Sequence, residues 1–312
     1  MSKTAATALT APGRPAPRTS GGQKSPTDIE ELRPGQSIEL LKELHILTRE
    51  GKLNQDTRRK LKQVYHLYQF IEPLLDEVMA ANPAATLADH GAGKSYLGFI
   101  IYDLFFNVAH KGEKSTGRIY GIESRPELVD KSRLLAARLG FERMSFLNLT
   151  VLQATASSGL PPTVDIVTAL HACDTATDDA IAFGLAKRAR HMVLVPCCQA
   201  EVAGVLKKGR ALNLAKTPLA ELWRHPLHTR EFGSQITNVL RCLQLEANGY
   251  QVTVTELVGW EHSMKNELIL ASLPSSPNAA KTSAARARLQ AVMDETGIGE
   301  LRERFFPRPA SA

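Results

Sequence analysis

The sequence predicts an open, mostly parallel α/β sheet with helices on both faces, a three-layer α/β/α sandwich preceded by a helical extension. Two observations carry this expectation. Between residues 84 and 273 short β-rich runs alternate with helical runs, the pattern of successive βαβ units. Seven strands are expected, at 86–89, 119–123, 144–149, 165–171, 192–196, 250–257 and 267–273. The last two lie too close together for a crossover helix, so they should pair antiparallel at the sheet edge.

The elements follow in order. Residues 1–36 repeat Pro, Gly, Ser and Thr without apolar periodicity and read as a disordered tail. Residues 37–82 form the helical extension, with Leu61, Val64, Tyr65, Tyr68, Ile71 and Leu75 at helical spacing and Pro73 expected to kink or restart the helix. The sheet domain occupies 83–273. Residues 274–312 read as a linker followed by a possible helix at 279–294.

Composition narrows the class without naming a function. A chain of 312 residues with 43% hydrophobic and 22% charged content buries a sizeable core. No apolar run approaches the ~20 residues of a membrane span, and four cysteines without an export signal are expected to stay reduced in a cytoplasmic protein. The net charge of +6 permits an anionic partner but does not require one.

The densest signal is Thr86-Leu-Ala-Asp-His-Gly-Ala-Gly-Lys-Ser95, an apolar strand ending on Asp89 and running into a Gly91-Ala92-Gly93 turn. Glycines there let the backbone approach a ligand at the carboxyl ends of the strands. The second element, Arg118-Ile-Tyr-Gly-Ile-Glu123, is an apolar strand closing on an acid. Its carboxylate suits two ribose hydroxyls, and Asp89 stands where an ammonium would be received. Ser124 and Glu127 have the spacing of a capping box for the helix that follows. The third strand ends near Thr150, the candidate adenine contact. Together these positions read as a cradle for S-adenosylmethionine.

Two rival readings of the same segment are weaker. Ala88, four residues, then Gly93-Lys94-Ser95 is a relaxed phosphate loop, but the strand that should end on a magnesium-binding acid runs into His171-Ala-Cys173 instead. Tyr96 occupies the third glycine position of a dinucleotide fingerprint.

Beyond the fourth and fifth strands stand Leu170-His-Ala-Cys-Asp-Thr-Ala-Thr-Asp178 and Val195-Pro-Cys-Cys-Gln199. This pair resembles the His-x-Cys-Gly-x-x-Thr-Asp and Cys-Cys segments of a methyltransferase family that includes the eukaryotic tRNA acceptor-stem 2′-O-methyltransferase. The resemblance spans about residues 58–273. It implies a class I, Rossmann-like methyltransferase sheet, S-adenosylmethionine as methyl donor, and RNA as acceptor. The segment His262-Ser-Met-Lys-Asn266 resembles a Thr-Pro-Lys-Asn-like element of the same family. Asp174 replaces the family's glycine and Gln199 a frequent His or Tyr, which loosens the inheritance of an RNA substrate.

Methyl transfer needs an aligned acceptor and, for a hydroxyl or amine, removal of a proton. His171 is the candidate base, Asp174 or Asp178 would orient it or the acceptor, and Gln199 would hydrogen-bond the acceptor; a satisfied core imidazole is the other reading of His171. Cys173, Cys197 and Cys198 read as small buried hydrophobes, and adjacent Cys197-Cys198 is poor metal spacing, so no metal is expected. Arg49, Lys52, Arg58, Arg59, Lys60 and Lys62 make the extension basic. They form either a solvated helix face or a phosphate-backbone contact. A protein or small-molecule acceptor, and a non-catalytic cofactor- or RNA-binding role, stay open.

Overall fold

In a computed structural model of the chain, the described residues are 31–112, 116–170, 172, 174–196, 199–209, 216–257 and 267–306. Helix α1 (Ile38–Glu43) starts at Ser37, whose Oγ accepts from the Leu40 amide at 3.1 Å. Helix α2 (Gln55–Ala81) opens with a reciprocal cap between Asn54 and Thr57 and buries Leu61, Val64, Leu67, Tyr68, Ile71, Leu75 and Val78. That three-and-four spacing puts one apolar face against the domain. Pro73 does not restart the helix, which runs unbroken for 27 residues. Pro73 and Gln69, to whose carbonyl Pro73 has no N–H to donate, are both exposed.

Residues 31–36 depart from the expected tail. Arg33 stacks over the rings of Tyr65 and Tyr68, at 4.8 Å from the latter, and the Tyr65 hydroxyl donates to buried Gln36. Two aromatic rings on α2 thus offer the segment an anchor that low apolar content alone does not reveal. Residues 1–30 lie outside the described set.

Seven strands form one sheet: β1 (Thr86–His90), β2 (Arg118–Glu123), β3 (Met144–Asn148), β4 (Ile166–Leu170), β5 (His191–Val195), β6 (Gln251–Glu256) and β7 (Glu267–Ser272). Their order is β3-β2-β1-β4-β5-β7-β6. The first five are parallel, and β7 runs antiparallel between β5 and β6. The carboxyl ends of β1, β2, β4 and β5 therefore share one edge.

Helix α3 (Tyr96–Ile101) continues into a π-helical stretch, Tyr102–Ala109, and α4 (Pro126–Leu139) follows β2. Together with α1 and α2 they bury one sheet face. The other face is covered by α5 (Val151–Ala156) and α6 (Thr175–Ala186). A third apolar cluster joins α7 (Glu201–Gly209), α8 (Pro226–Glu246), α9 (Ala279–Thr296) and the short α10 (Arg302–Phe305). The C-terminal helix thus has a purpose: Ala285, Leu289 and Met293 cover Leu240 and Leu243 of α8.

Helices α7 and α8 touch through Gly233. A Cβ there would stand 2.6 Å from Ala203 Cβ and 2.7 Å from its Cα, so backbone would have to move. Gly233→Ala should therefore cost about 1–3 kcal/mol by overpacking. The urea midpoint should fall at unchanged slope; an unchanged midpoint would show that the helices part freely.

Candidate functional site

The site is assembled where β1 and β2 end. After His90 the chain turns through Gly91 (φ 62°), Ala92, Gly93 (φ 57°) and Lys94 to Ser95 (φ 53°), which begins α3. Left-handed backbone at positions 91 and 93 is what the glycines supply. Three of the turn's amides are already engaged. Ala92 N–H donates to Ile122 O at 3.2 Å, Gly93 N–H to Glu123 Oε2 at 2.8 Å, and Ser95 N–H to Ala92 O at 2.6 Å. Ser95 Oγ is buried, without a partner. A phosphate cradle needs free amides and a hydroxyl that reaches a metal, so the phosphate-loop reading loses its physical basis here.

Glu123 is the centre of the site. Its Oε1 accepts from Arg125 N and Nε, both at 3.0 Å, and its Oε2 from Gly93 N and Arg125 Nη2 at 3.1 Å. Burial pushes its pKa up, but the bonds from Arg125 and the Gly93 amide outweigh burial and hold it below the usual carboxylate range. It is therefore an ionised acceptor at the strand edge. Arg125, with a side chain 60% exposed, lies over the turn, Nη2 being 3.8 Å from where a Gly93 Cβ would stand. A diol approaching Glu123 would displace this solvated guanidinium rather than a buried one.

Ser124 and Glu127 do not form the expected capping box. Pro126 occupies the first helical position, which makes Arg125 the N-cap, one residue past Ser124. The Ser124 hydroxyl instead donates to Glu123 Oε1 at 3.4 Å. Thr150 is also engaged otherwise: it caps α5, its hydroxyl and amide meeting Gln153 Oε1 at 3.1 and 2.9 Å. Asn148 is the side chain that ties β3 to this edge, donating to Glu123 O and Ser124 O.

Asp89 is almost wholly buried and accepts from the Thr168 hydroxyl at 2.8 Å. Desolvation raises its pKa to about 7, against the pull of that hydrogen bond. Asp89 thus ties β1 to β4 directly before the glycine turn. Next to it His90 packs edge-on against Phe183 at 4.2 Å, neither ring nitrogen having a partner, and burial lowers its pKa to about 3.

On the acceptor side, His171, Cys173, Cys197 and Cys198 lie outside the described residues, as does the 262–266 element. The other three candidates meet in one network, Asp178 and Gln199 buried and Asp174 half-buried at its edge. Asp178 receives Arg241 in a two-pronged ion pair at 2.7 and 2.8 Å. Arg241 also donates to Asp174 O and Asn238 Oδ1, and Asn238 Oδ1 accepts from Gln199 Nε2 at 3.0 Å. Asp174 Oδ1 takes the Ala200 and Glu201 amides at the start of α7. Asp178 and Gln199 are thus held by partners on α8 instead of facing an acceptor, and Asp174 joins the β4 and β5 loops. Arg241 and Asn238 were not among the expected site residues, although polar residues at 238, 241 and 244 on the buried face of an amphipathic helix signal a buried partner.

Of the basic residues in the extension, Arg58 pairs with Glu31 at 2.8 Å and Arg59 with Asp56 at 3.9 Å. Lys60 and Lys62 are exposed. No helix among the described residues is long and apolar enough to cross a membrane.

Residues 59–205 match the protein family described as methyltransferase domain. No curated protein matches the chain. Solved structures that resemble it include a putative O-methyltransferase from Klebsiella pneumoniae, 13% identical, covering 79% of this chain and 94% of that one at a TM-score of 0.45. Another is magnesium protoporphyrin IX methyltransferase from Synechocystis with bound SAH, 15% identical, covering 75% and 94% at 0.42. A third is the fibrillarin pre-rRNA processing protein of Methanococcus jannaschii, 12% identical, covering 62% and 67% at 0.39. Residues 59–205 are thus similar to a methyltransferase domain, and the strand order is that of a class I, Rossmann-like sheet.

Proposed function

We propose that the chain transfers a methyl group from S-adenosylmethionine to RNA. The observation that carries the donor half is the bond between Glu123 and the Gly93 amide, which fixes an ionised carboxylate against a glycine turn at the strand edge. That geometry suits a ribose diol held beside closely approaching backbone. When bound, S-adenosylmethionine supplies an electrophilic methyl. The chain's residues do the rest: Glu123 orients the ribose, the glycines admit the ligand, and Asp89, tied to Thr168, stands on the ammonium side.

On the acceptor side His171, which follows β4, is the proposed proton acceptor. The Asp178–Arg241–Asn238–Gln199 network ties Asp178 and Gln199 to α8. RNA as acceptor is supported by the resemblance of the 170–178 and 195–199 segments and by exposed lysines on α2.

Calorimetry tests the donor half. S-Adenosylmethionine should bind without magnesium, and Glu123→Gln should weaken it by about 1–3 kcal/mol, the scale of hydrogen bonds to a charged group. Magnesium-dependent ATP binding with no response to S-adenosylmethionine would sink the reading, and unchanged affinity in a folded Glu123→Gln would remove Glu123 from it.

A further inference from the structure

We propose that a cleft of about 370 Å³ beside the glycine turn seats backbone phosphate of the RNA acceptor, an inference that rests on the RNA reading above. Its walls are Glu43 to His45, Lys94, and the face of α4 that carries Lys131, Leu134, Leu135 and Arg138. Those four positions, spaced three, four and seven apart, stand on one side of the helix. Leu135 packs into the domain, which turns its neighbours Lys131 and Leu134 to the opening.

The charge of the cleft is unbalanced. Arg138 is held by Glu43 at 2.5 Å, but no carboxylate lies within ion-pair range of exposed Lys94 or Lys131 among the described residues. Two ammonium groups with no counter-charge face one opening. In the same cleft Leu134 is 72% exposed, more than any other large hydrophobic side chain described. Solvated ammonium groups flanking an apolar rest suit a strand whose phosphates alternate with sugar and base surfaces. The cleft is open and its lysines exposed, which fits a polyanion laid along it better than a small anion, whose capture needs enclosing donors.

Its location connects it to the reaction. Lys94 directly follows Gly93, whose amide holds Glu123, and Arg125, the N-cap of α4, lies over the same turn. A strand anchored here lies at the edge of the sheet where the methyl donor is proposed to bind.

The test titrates full-length protein with a fluorescein-labelled tRNA fraction at several salt concentrations. The Lys94→Ala/Lys131→Ala double variant should bind about tenfold more weakly, and its slope of log affinity against log salt should fall by about 2, one per phosphate contact. A control of equal charge loss, Lys207→Ala/Lys208→Ala on α7, should change affinity less than twofold. Equal losses in both variants, no loss in the first, or no tRNA binding by the parent overturns the proposal. Polyglutamate binding as tightly, with the same dependence on Lys94 and Lys131, overturns RNA in favour of an acidic protein. S-Adenosylmethionine binding by the parent is measured separately. If it fails while the lysine dependence holds, the donor reading falls and the cleft stands; the converse result removes the cleft alone.

Discussion

Arg241→Met should lower the unfolding free energy by about 3–5 kcal/mol, the range for breaking a buried ion pair from one side. Arg241 is 0% exposed and Asp178 4% exposed. Removing the guanidinium leaves a buried carboxylate without counter-charge, takes a donor from Asp174 O, and leaves Asn238 Oδ1 with Gln199 Nε2 alone. The attraction within the pair roughly offsets the cost of desolvating both ions, so the penalty belongs to the orphaned charge. Arg241→Met combined with Asp178→Leu should therefore recover most of the loss, because no buried charge remains. Denaturant unfolding of the two single variants and the double closes the cycle. A double variant as unstable as the sum of its parents would mean that the ion pair is not what makes this region sensitive.

The same network shows what local sequence conceals. All seven strands were legible, their ends within one residue; the five parallel ones are apolar runs buried by helices on both faces, and β6 shows the alternation of a half-exposed edge strand. The insertion of β7 between β5 and β6 was legible only as antiparallel pairing, since connection length reports proximity and not order. Glu123 was readable from the strand it terminates. Asp178 was not, because its partner lies 63 residues away on α8 and a carboxylate beside a strand end looks the same whether it faces a substrate or a buried arginine. Thr150 and Gln153, by contrast, have the spacing of a capping box, a signal within the sequence that competes with a ligand role. Ser124 and Glu127 have that spacing too, and Pro126 overrides it by fixing where the helix begins.

Asp89 and His90 should tilt stability against pH in opposite directions, although they are adjacent. On a strand, neighbouring side chains enter opposite faces: Asp89 meets Thr168, and His90 meets Phe183. Both are desolvated, which favours the neutral form of each. For Asp89 the pKa rises from 3.8 to about 7 on folding. Between those values the folded state binds a proton that the unfolded state releases, so its contribution is complete below about 4 and is lost as pH rises to about 7. For His90 the pKa falls from 6.5 to about 3. Its contribution is present above 6.5 and is lost as pH falls toward 3. Each has a slope of about 1.4 kcal/mol per pH unit, so from about pH 4 to 6.5 the two nearly cancel in the parent chain. Single variants expose them. Relative to the parent, Asp89→Asn should gain stability as pH rises from 4 to 7, while His90→Leu should gain it as pH falls below 6.5. Over two pH units each difference approaches 3 kcal/mol. Urea unfolding at half-unit pH steps reads both curves, and differences that do not vary with pH, or that slope the same way, would show that water reaches these side chains in the folded protein.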